Sequence, residues 1–265
     1  FRSRIPLTWQ VSVVVYPRST LVRVSRRSLS AVVLLAAVAT AGIARVILPP
    51  RARDVRVADW PGPPVAAGAV HVHTDRSDGS GSIDAVASAA AAAGLQFVVL
   101  TDHGDGTRLE PPAYRSGVLI IDGVEVSTTR GHYGAVGLTA SPYPLGGEAR
   151  EVAEDVERLG GFGFVAHGDS PKGELSWSDW AIPFAGLEIV NLDTVWRAAG
   201  RLELARAMAT YWLRGPETLA ALVDRPVALL DQWDAAATTR RVVGLDRKST
   251  RLNSSHVALS RMPSS

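Results

Sequence analysis

From Val65 to Leu245 the chain alternates β-branched runs with helical stretches, and five of its six histidines stand at or beside the ends of those runs. The patches read His71-Val72-His73 with Asp78 following, Thr101-Asp102-His103, Gly131-His132 and Ala166-His167, while Glu125 lies in Gly123-Val-Glu-Val126. A single histidine on an apolar face is usually a satisfied core residue. Five in one repeated context need a shared explanation. Imidazole and carboxylate together suit Zn²⁺, Mn²⁺ or Fe²⁺. In His71-Val72-His73 the period of two puts both rings on one strand face, where they can chelate one ion. The pattern points to a polynuclear metal hydrolase.

The coarse order is strand Val65–Val72, helix Ser82–Ala93, strand Gln96–Leu100, strands Val118–Val126 and His132–Leu138 across a short polar turn, helix Gly147–Leu159, strand Gly161–Ala166, strand Gly186–Val190, helices Val195–Leu213 and Pro216–Val223, and a last strand from Arg241 to Leu245. Alternation of this kind predicts an α/β fold with parallel strands and crossover helices. Six or seven such strands suggest a closed or nearly closed barrel. In α/β barrels the site forms at the C-terminal ends of the strands, which is where His71, His73, His103, Glu125 and His167 fall. His132 begins its segment, so it is expected to reach in from the connecting turn. Asp102 is expected to orient a neighbour or cap a turn rather than bind metal.

Composition narrows the class. Of the 265 residues 46% are apolar, enough for a large core, and there is no Cys, so thiolate sites and disulfides are excluded. The whole chain is slightly basic, yet residues 61–246 carry 14 Lys+Arg against 24 Asp+Glu, a net of −10. An acidic domain fits a cluster of divalent cations and disfavours nucleic acid.

Both ends read differently. Residues 1–28 form a basic segment that starts at Phe1, and residues 1–20 resemble upstream translation. Residues 29–48 are mostly apolar with Arg45 as their single charge, follow Arg23, Arg26 and Arg27, and read as a signal anchor or signal peptide, with Ala39-Thr40-Ala41 as a small-residue cleavage site. A membrane-anchored, extracytoplasmic, or secreted catalytic domain is the expectation; a cytoplasmic one is the alternative. Residues 49–64 read as a linker and 65–246 as the metallohydrolase domain. Residues 247–265 resemble a translated sequencing adapter that truncates the domain, which would remove His256 from the candidate ligands.

The ordered series from His71-Val-His73 through Asp78, Thr101-Asp102-His103, Gly123-Val-Glu125, Gly131-His132 and Ala166-His167 resembles the PHP (polymerase and histidinol phosphatase) superfamily. With Gly186-Leu-Glu-Ile-Val-Asn191 it looks most like the CehA/McbA type. The resemblance covers about residues 65–246 and implies a distorted (β/α)7 barrel holding two or three divalent ions, Zn, Mn or Fe. By matching motif it implies that His71, His73, Glu125 and Asp246 bind a first ion. Asp78 and His103 would bind a second, and His132 and His167, bridged by Glu125, a third. The family pattern closes as Asp-x-His, whereas here Asp246 is followed by Arg247 and Lys248.

The implied chemistry is metal-assisted hydrolysis, since a bound divalent ion can lower the pKa of water from 15.7 to about 7. Arg130, Lys172 and Arg197 are candidate contacts for an anionic substrate. The leading expectation is a phosphoesterase for a small phosphate ester. An ester, amide or carbamate hydrolase using the same metals, a polymerase-type exonuclease module and a non-catalytic metal-binding module are the alternatives.

Overall fold

The structure, a computed structural model, describes residues 26–51 and 66–247. The readings made for residues 1–25, for most of the linker and for the tail from Lys248 lie outside the described residues. The chain divides into two units, residues 1–46 and 47–265.

What is described of the first unit is helix α1 (Arg26–Ile47), which ends one residue into the second. Its Leu29, Val32, Val33, Leu34, Leu35 and Val38 are all exposed. Arg27 and Arg45 bracket 17 uncharged residues, fewer than the ~20 a bilayer span requires. No helix among the described residues is long and apolar enough to cross a membrane.

The second unit is built on one mixed sheet of eight strands: β1 (Gly68–Val72), β2 (Phe97–His103), β3 (Ala113–Arg115), β4 (Val118–Thr128), β5 (Gly131–Val136), β6 (Phe162–Val165), β7 (Gly186–Asn191) and β8 (Val243–Arg247). They lie in the order β1-β2-β4-β5-β6-β7-β8, with β3 attached to β4. The pairs β1/β2, β2/β4, β6/β7 and β7/β8 are parallel. The edge strands β1 and β8 approach within 8 Å at Cα without a hydrogen-bonded ladder. The sheet therefore curls most of the way round and stops short of a closed barrel among the described residues.

Two features depart from simple alternation of parallel strands and crossover helices. Strand β5 runs antiparallel to both β4 and β6. Only Thr129 and Arg130 separate it from β4, and a two-residue connection can join only antiparallel neighbours, since a parallel crossover needs a dozen or more residues. The short β3, which also pairs antiparallel, was not foreseen.

The helices fall where amphipathic spacing put them in the first half of the unit. In α2 (Ile83–Ala92), capped by the Ser82 hydroxyl, Ala87 and Ala90 are buried. In α3 (Ala149–Arg158), Ala149, Val152, Ala153 and Val156 form one buried stripe. The second half differs. The expected helix 195–213 is broken into α4 (Leu192–Ala198) and α5 (Arg201–Ala220), because Asn191 caps the first and Gly200 starts the second. The expected separate helix at 216–223 is continuous with α5 across a kink at Arg214, whose φ is −149°. Pro216 explains the kink, since it lacks an N–H and its ring crowds the carbonyl four residues back. A further helix, α6 (Val227–Ala237), had no strong periodic signal and was missed.

The largest core cluster joins β4, β5, β6 and β7 to α3 through Val124, Val126, Tyr133, Ala135, Val152, Val156, Val165 and Leu187. Directly beneath the site, Phe164 is 1% exposed and packs across Gly134 of β5. A Cβ on Gly134 would lie 2.1 Å from the Phe164 ring. The missing side chain is what lets an aromatic ring fill the barrel floor.

Candidate metal centre

Strands β1, β2, β4, β6, β7 and β8 share one direction, so their C-terminal ends lie along one rim. His71 is the penultimate residue of β1 and His73 lies just beyond it; His103 ends β2; His167 follows β6 by two residues. Because β5 is reversed, its N-terminal end lies on that same rim, and His132 arrives from within a strand rather than from the turn, correcting the expectation. The register places Ser127 opposite His132 and Gly134 opposite Glu125, so Glu125, Ser127 and His132 share one face. Gly131 opens this strand at φ 116°, a conformation that favours glycine.

Glu125 is the hub. It is 1% exposed. Its Oε1 lies 2.7 Å from His167 Nε2 and 2.9 Å from His132 Nδ1. Its Oε2 lies 3.0 Å from His71 Nε2, 2.9 Å from His73 Nε2 and 3.5 Å from His103 Nδ1. One carboxylate thus gathers all five imidazoles of the sequence pattern. Burial alone would raise its pKa, but the His71 charge and hydrogen bonds from His132, His167 and His71 hold it well below the ordinary carboxylate range. Burial, the largest influence on His103, pushes that imidazole down and favours its neutral, ligating form.

Asp78 completes the cluster on the open side, 2.6 Å from His73 Nδ1 and 3.9 Å from His103 Nε2. The ring planes of the five histidines follow one another at centroid distances of 4.7–5.8 Å. Two groups of ligand atoms lie within 4.8 Å of one another: His71, Glu125 and His167, and His73, His103 and Glu125. His71 Nε2 and His73 Nε2 both approach Glu125 Oε2, at 3.0 and 2.9 Å, so Glu125 belongs to both groups.

The residues fit divalent ions. His73 Nε2 is buried and, despite lying 2.9 Å from Glu125, has no hydrogen-bond partner in acceptable geometry. A buried ring nitrogen left unpaired is costly in a purely structural cluster, and it is what a metal ligand looks like without its ion. The donor set, imidazole and carboxylate only, matches borderline cations such as Zn²⁺ and Mn²⁺.

Asp246 is in β8, its backbone in register with Val190 of β7; its side chain lies outside the described residues. Arg130 is exposed in the β4–β5 turn beside the rim, where its carbonyl accepts from Ser178 N at 3.0 Å. Lys172 is exposed and near Glu174, at 3.8 Å. Arg197 is on α4, tied to Asp193 at 2.6 Å. That ion pair already occupies the Arg197 guanidinium, whereas Arg130 adjoins His132 in sequence and Lys172 lies in the loop that follows His167 and reaches its ring through the Leu175 carbonyl.

Asp102 does cap a turn. It accepts from Thr74 N at 2.7 Å, Thr74 Oγ1 at 2.8 Å, Ser77 Oγ at 2.6 Å and Arg76, fixing the loop between His73 and Asp78. Although burial opposes it, these donors lower the Asp102 pKa. Arg76 also binds the buried Asp122, and the two carboxylates raise the guanidinium pKa further. Sequence reasoning singled out neither Arg76 nor Asp122. Glu188 entered the sequence reading only within the motif Gly186-Leu-Glu-Ile-Val-Asn191, with no role assigned to it; it is 1% exposed and lies 3.1 Å from His71 Nδ1.

No family profile matches the chain, and no curated protein matches it. Among solved structures it is similar to PsfC from Pseudomonas syringae (14% identity over 68% of this chain and 75% of that one, TM-score 0.42). It is also similar to a protein from Bifidobacterium adolescentis assigned as a metal-dependent phosphoesterase (14% identity, 69% and 88% covered, TM-score 0.43). A third is a two-domain protein from Bacteroides vulgatus containing a predicted PHP-like metal-dependent phosphoesterase (20% identity, 59% and 53% covered, TM-score 0.39). The match spans about half the length of the Bacteroides protein. All three likenesses are distant, with TM-scores below 0.5.

Proposed function

We propose that the chain is a metal-dependent hydrolase of the PHP superfamily, most like its CehA/McbA type, and that it cleaves small phosphate esters. The observation that carries this reading is the convergence of five imidazoles on the two oxygens of Glu125 at one rim of the sheet. Structural histidines are not gathered five at a time around a single buried carboxylate. His71, His73, His103, His132, His167, Glu125 and Asp78 hold two or three divalent ions, with Asp246 as a further ligand. Bound ions supply Lewis acidity and a nucleophile at neutral pH. The chain's own residues do the rest. Asp102 and Arg76 hold the loop that carries Asp78, so the open side of the cluster keeps its shape. Phe164 and the apolar floor keep bulk water from below. Arg130, on the rim, meets the anionic group of the substrate. His103 and Asp78, the most exposed members of the cluster, at 37% and 39% of their side chains, mark the open side through which substrate would reach the ions.

The test is a substrate panel on the Mn²⁺- or Zn²⁺-loaded protein, comparing p-nitrophenyl phosphate with carboxyl esters and aryl carbamates. Phosphatase activity lost on adding EDTA is expected. Activity on the carbon-centred substrates alone would replace the phosphoesterase reading with the ester, amide or carbamate one. Stoichiometric metal without turnover of any substrate would leave a binding module. We also infer from the apolar segment 29–48 that the domain works outside the cytoplasm, tethered or exported; recovery of the native protein only in the soluble cytoplasmic fraction would refute that.

A further inference from the structure

Glu188 sits behind the centre and has no place in the ligand set. It is 1% exposed, on β7, with both oxygens engaged. Its Oε1 lies 3.1 Å from His71 Nδ1. Its Oε2 accepts from His167 N at 2.6 Å and from Asn191 Nδ2 at 2.9 Å. Among the described residues, His71 and His167 are also two of the three non-glycine residues with positive φ, at 62° and 32°, a conformation that costs energy and persists only where its surroundings hold it. One buried carboxylate therefore touches the ring of one such histidine and the backbone of the other, and both lie in one candidate ligand group with Glu125.

To ligate a cation His71 must be a neutral imidazole, which carries one proton. With Nε2 turned to the cluster, 3.0 Å from Glu125, that nitrogen can bind a cation only if the proton is on Nδ1. Nδ1 faces Glu188, an acceptor with no proton to give when ionised. We propose that Glu188 is a positioning residue that fixes the Nδ1–H tautomer of His71, leaving Nε2 free to ligate, and that anchors the backbone of His167 in its ligating pose. This rests on the metal-centre reading and deepens it. Carboxylates behind metal-bound histidines commonly carry this role, and their loss typically costs about 10–100-fold in metal affinity.

The decisive variant is Glu188→Gln. Two donors, His167 N and Asn191 Nδ2, converge on the Oε2 position, so the glutamine carbonyl must take that place and its NH₂ must face His71 Nδ1. That amide donates, so it favours the His71 tautomer protonated at Nε2, which cannot ligate there. Zn²⁺ titration of the full chain is expected to show affinity reduced about 10–100-fold in Glu188→Gln. Nitrogen-15 spectra of the Zn²⁺-loaded wild-type protein are expected to show the His71 proton on Nδ1. A purely structural role for Glu188 would lower thermal stability but leave the affinity of the folded protein unchanged. Equal Zn²⁺ affinity in the two proteins, or a wild-type His71 not protonated at Nδ1, would overturn the proposal; the second readout holds even if the variant does not fold. A wild-type chain that binds no Zn²⁺ would overturn the metal-centre reading and this inference together.

Discussion

Replacing Arg76 with methionine tests whether the loop between His73 and Asp78 is held by charge. The guanidinium makes contacts of 3.1 and 3.0 Å to Asp102 Oδ2 and of 2.9 and 2.5 Å to the two oxygens of Asp122. The two carboxylates are 9% and 5% exposed, whereas the Arg76 side chain is 31% exposed. Removing one partner of a fully buried ion pair costs about 3–5 kcal/mol. Here water reaches the arginine, and Asp102 keeps Thr74 and Ser77 as donors, so the figure falls. Asp122 keeps only Glu110 N, at 3.0 Å, among its recorded donors. The expected loss is about 2–4 kcal/mol after that discount. For a domain of this size each kcal/mol moves Tm by about 2–4 °C, so calorimetry at pH 7 should show a fall of roughly 4–16 °C. Asp122→Asn should recover part of the loss in the double variant, because it removes the stranded charge. The pH dependence has a definite sign. The folded Asp102 pKa is lowered, so its contribution is present above the unfolded value of about 3.9 and disappears as pH falls through the folded value. The gap between wild type and variant should therefore narrow below about pH 4. A Tm within 2 °C of wild type at pH 7 would refute the argument and reduce Arg76 to a surface cation.

Gly134→Ala puts a methyl into the Phe164 ring; overpacking of this kind costs about 1–3 kcal/mol or more, and unchanged thermal stability would show that Phe164 does not fill the floor. Glu125→Ala removes the acceptor shared by five imidazoles and should lower Zn²⁺ affinity by more than about 100-fold, beyond what loss of a supporting residue does, as read by competition with a chromophoric chelator. Arg130→Ala should raise KM for a phosphate ester about tenfold while leaving the metal content measured by mass spectrometry unchanged, since a single charge-assisted hydrogen bond to substrate contributes about 1.5 kcal/mol. Metal removal by EDTA should lower Tm in proportion to the logarithm of free metal over Kd, about 2.7 kcal/mol at a hundredfold excess; an unchanged Tm would argue that the cluster binds no ion.

Much of the site was legible because its signals are local. A strand-like run that ends in histidine states both an element and a rim position, and five such statements agree on one place. Asp102 was readable as a cap because Thr74 and Ser77, the groups it holds, are small polar residues in a turn. Glu188 was not, since a lone acid in a buried strand has the same appearance whether it binds metal, supports a ligand or pairs with an arginine; only the 3.1 Å approach to His71 Nδ1 separates these. Arg76 and Asp122 were invisible for the same reason, being 46 residues apart in sequence. The helices after β7 were misjudged where local breakers compete. Gly200 and Pro216 both interrupt helices, yet the first starts a new helix and the second only bends one, an outcome set by packing rather than by propensity.

The reversal of β5 is the fold's main departure from regular alternation, and it has a chemical consequence. In a parallel array only the last residues of a strand, or the loop that follows it, reach the rim; His73 and His167 lie on such loops, and each loop is held by a further backbone hydrogen bond, to Asp102 and to Glu188. A reversed strand delivers its first residues to the same rim while they are still paired. His132 is therefore positioned by the β4 ladder itself, two residues from the partner of Glu125, and its ring nitrogen reaches Oε1 at 2.9 Å. Ser127, on the same face, lies 3.3 Å from the other ring nitrogen. The hairpin thus carries both the shared carboxylate and one of its imidazoles as a single hydrogen-bonded piece. Its two-residue turn brings Arg130 to the rim alongside them, so the cation proposed to meet an anionic substrate is set by the same backbone geometry that sets the histidine cluster.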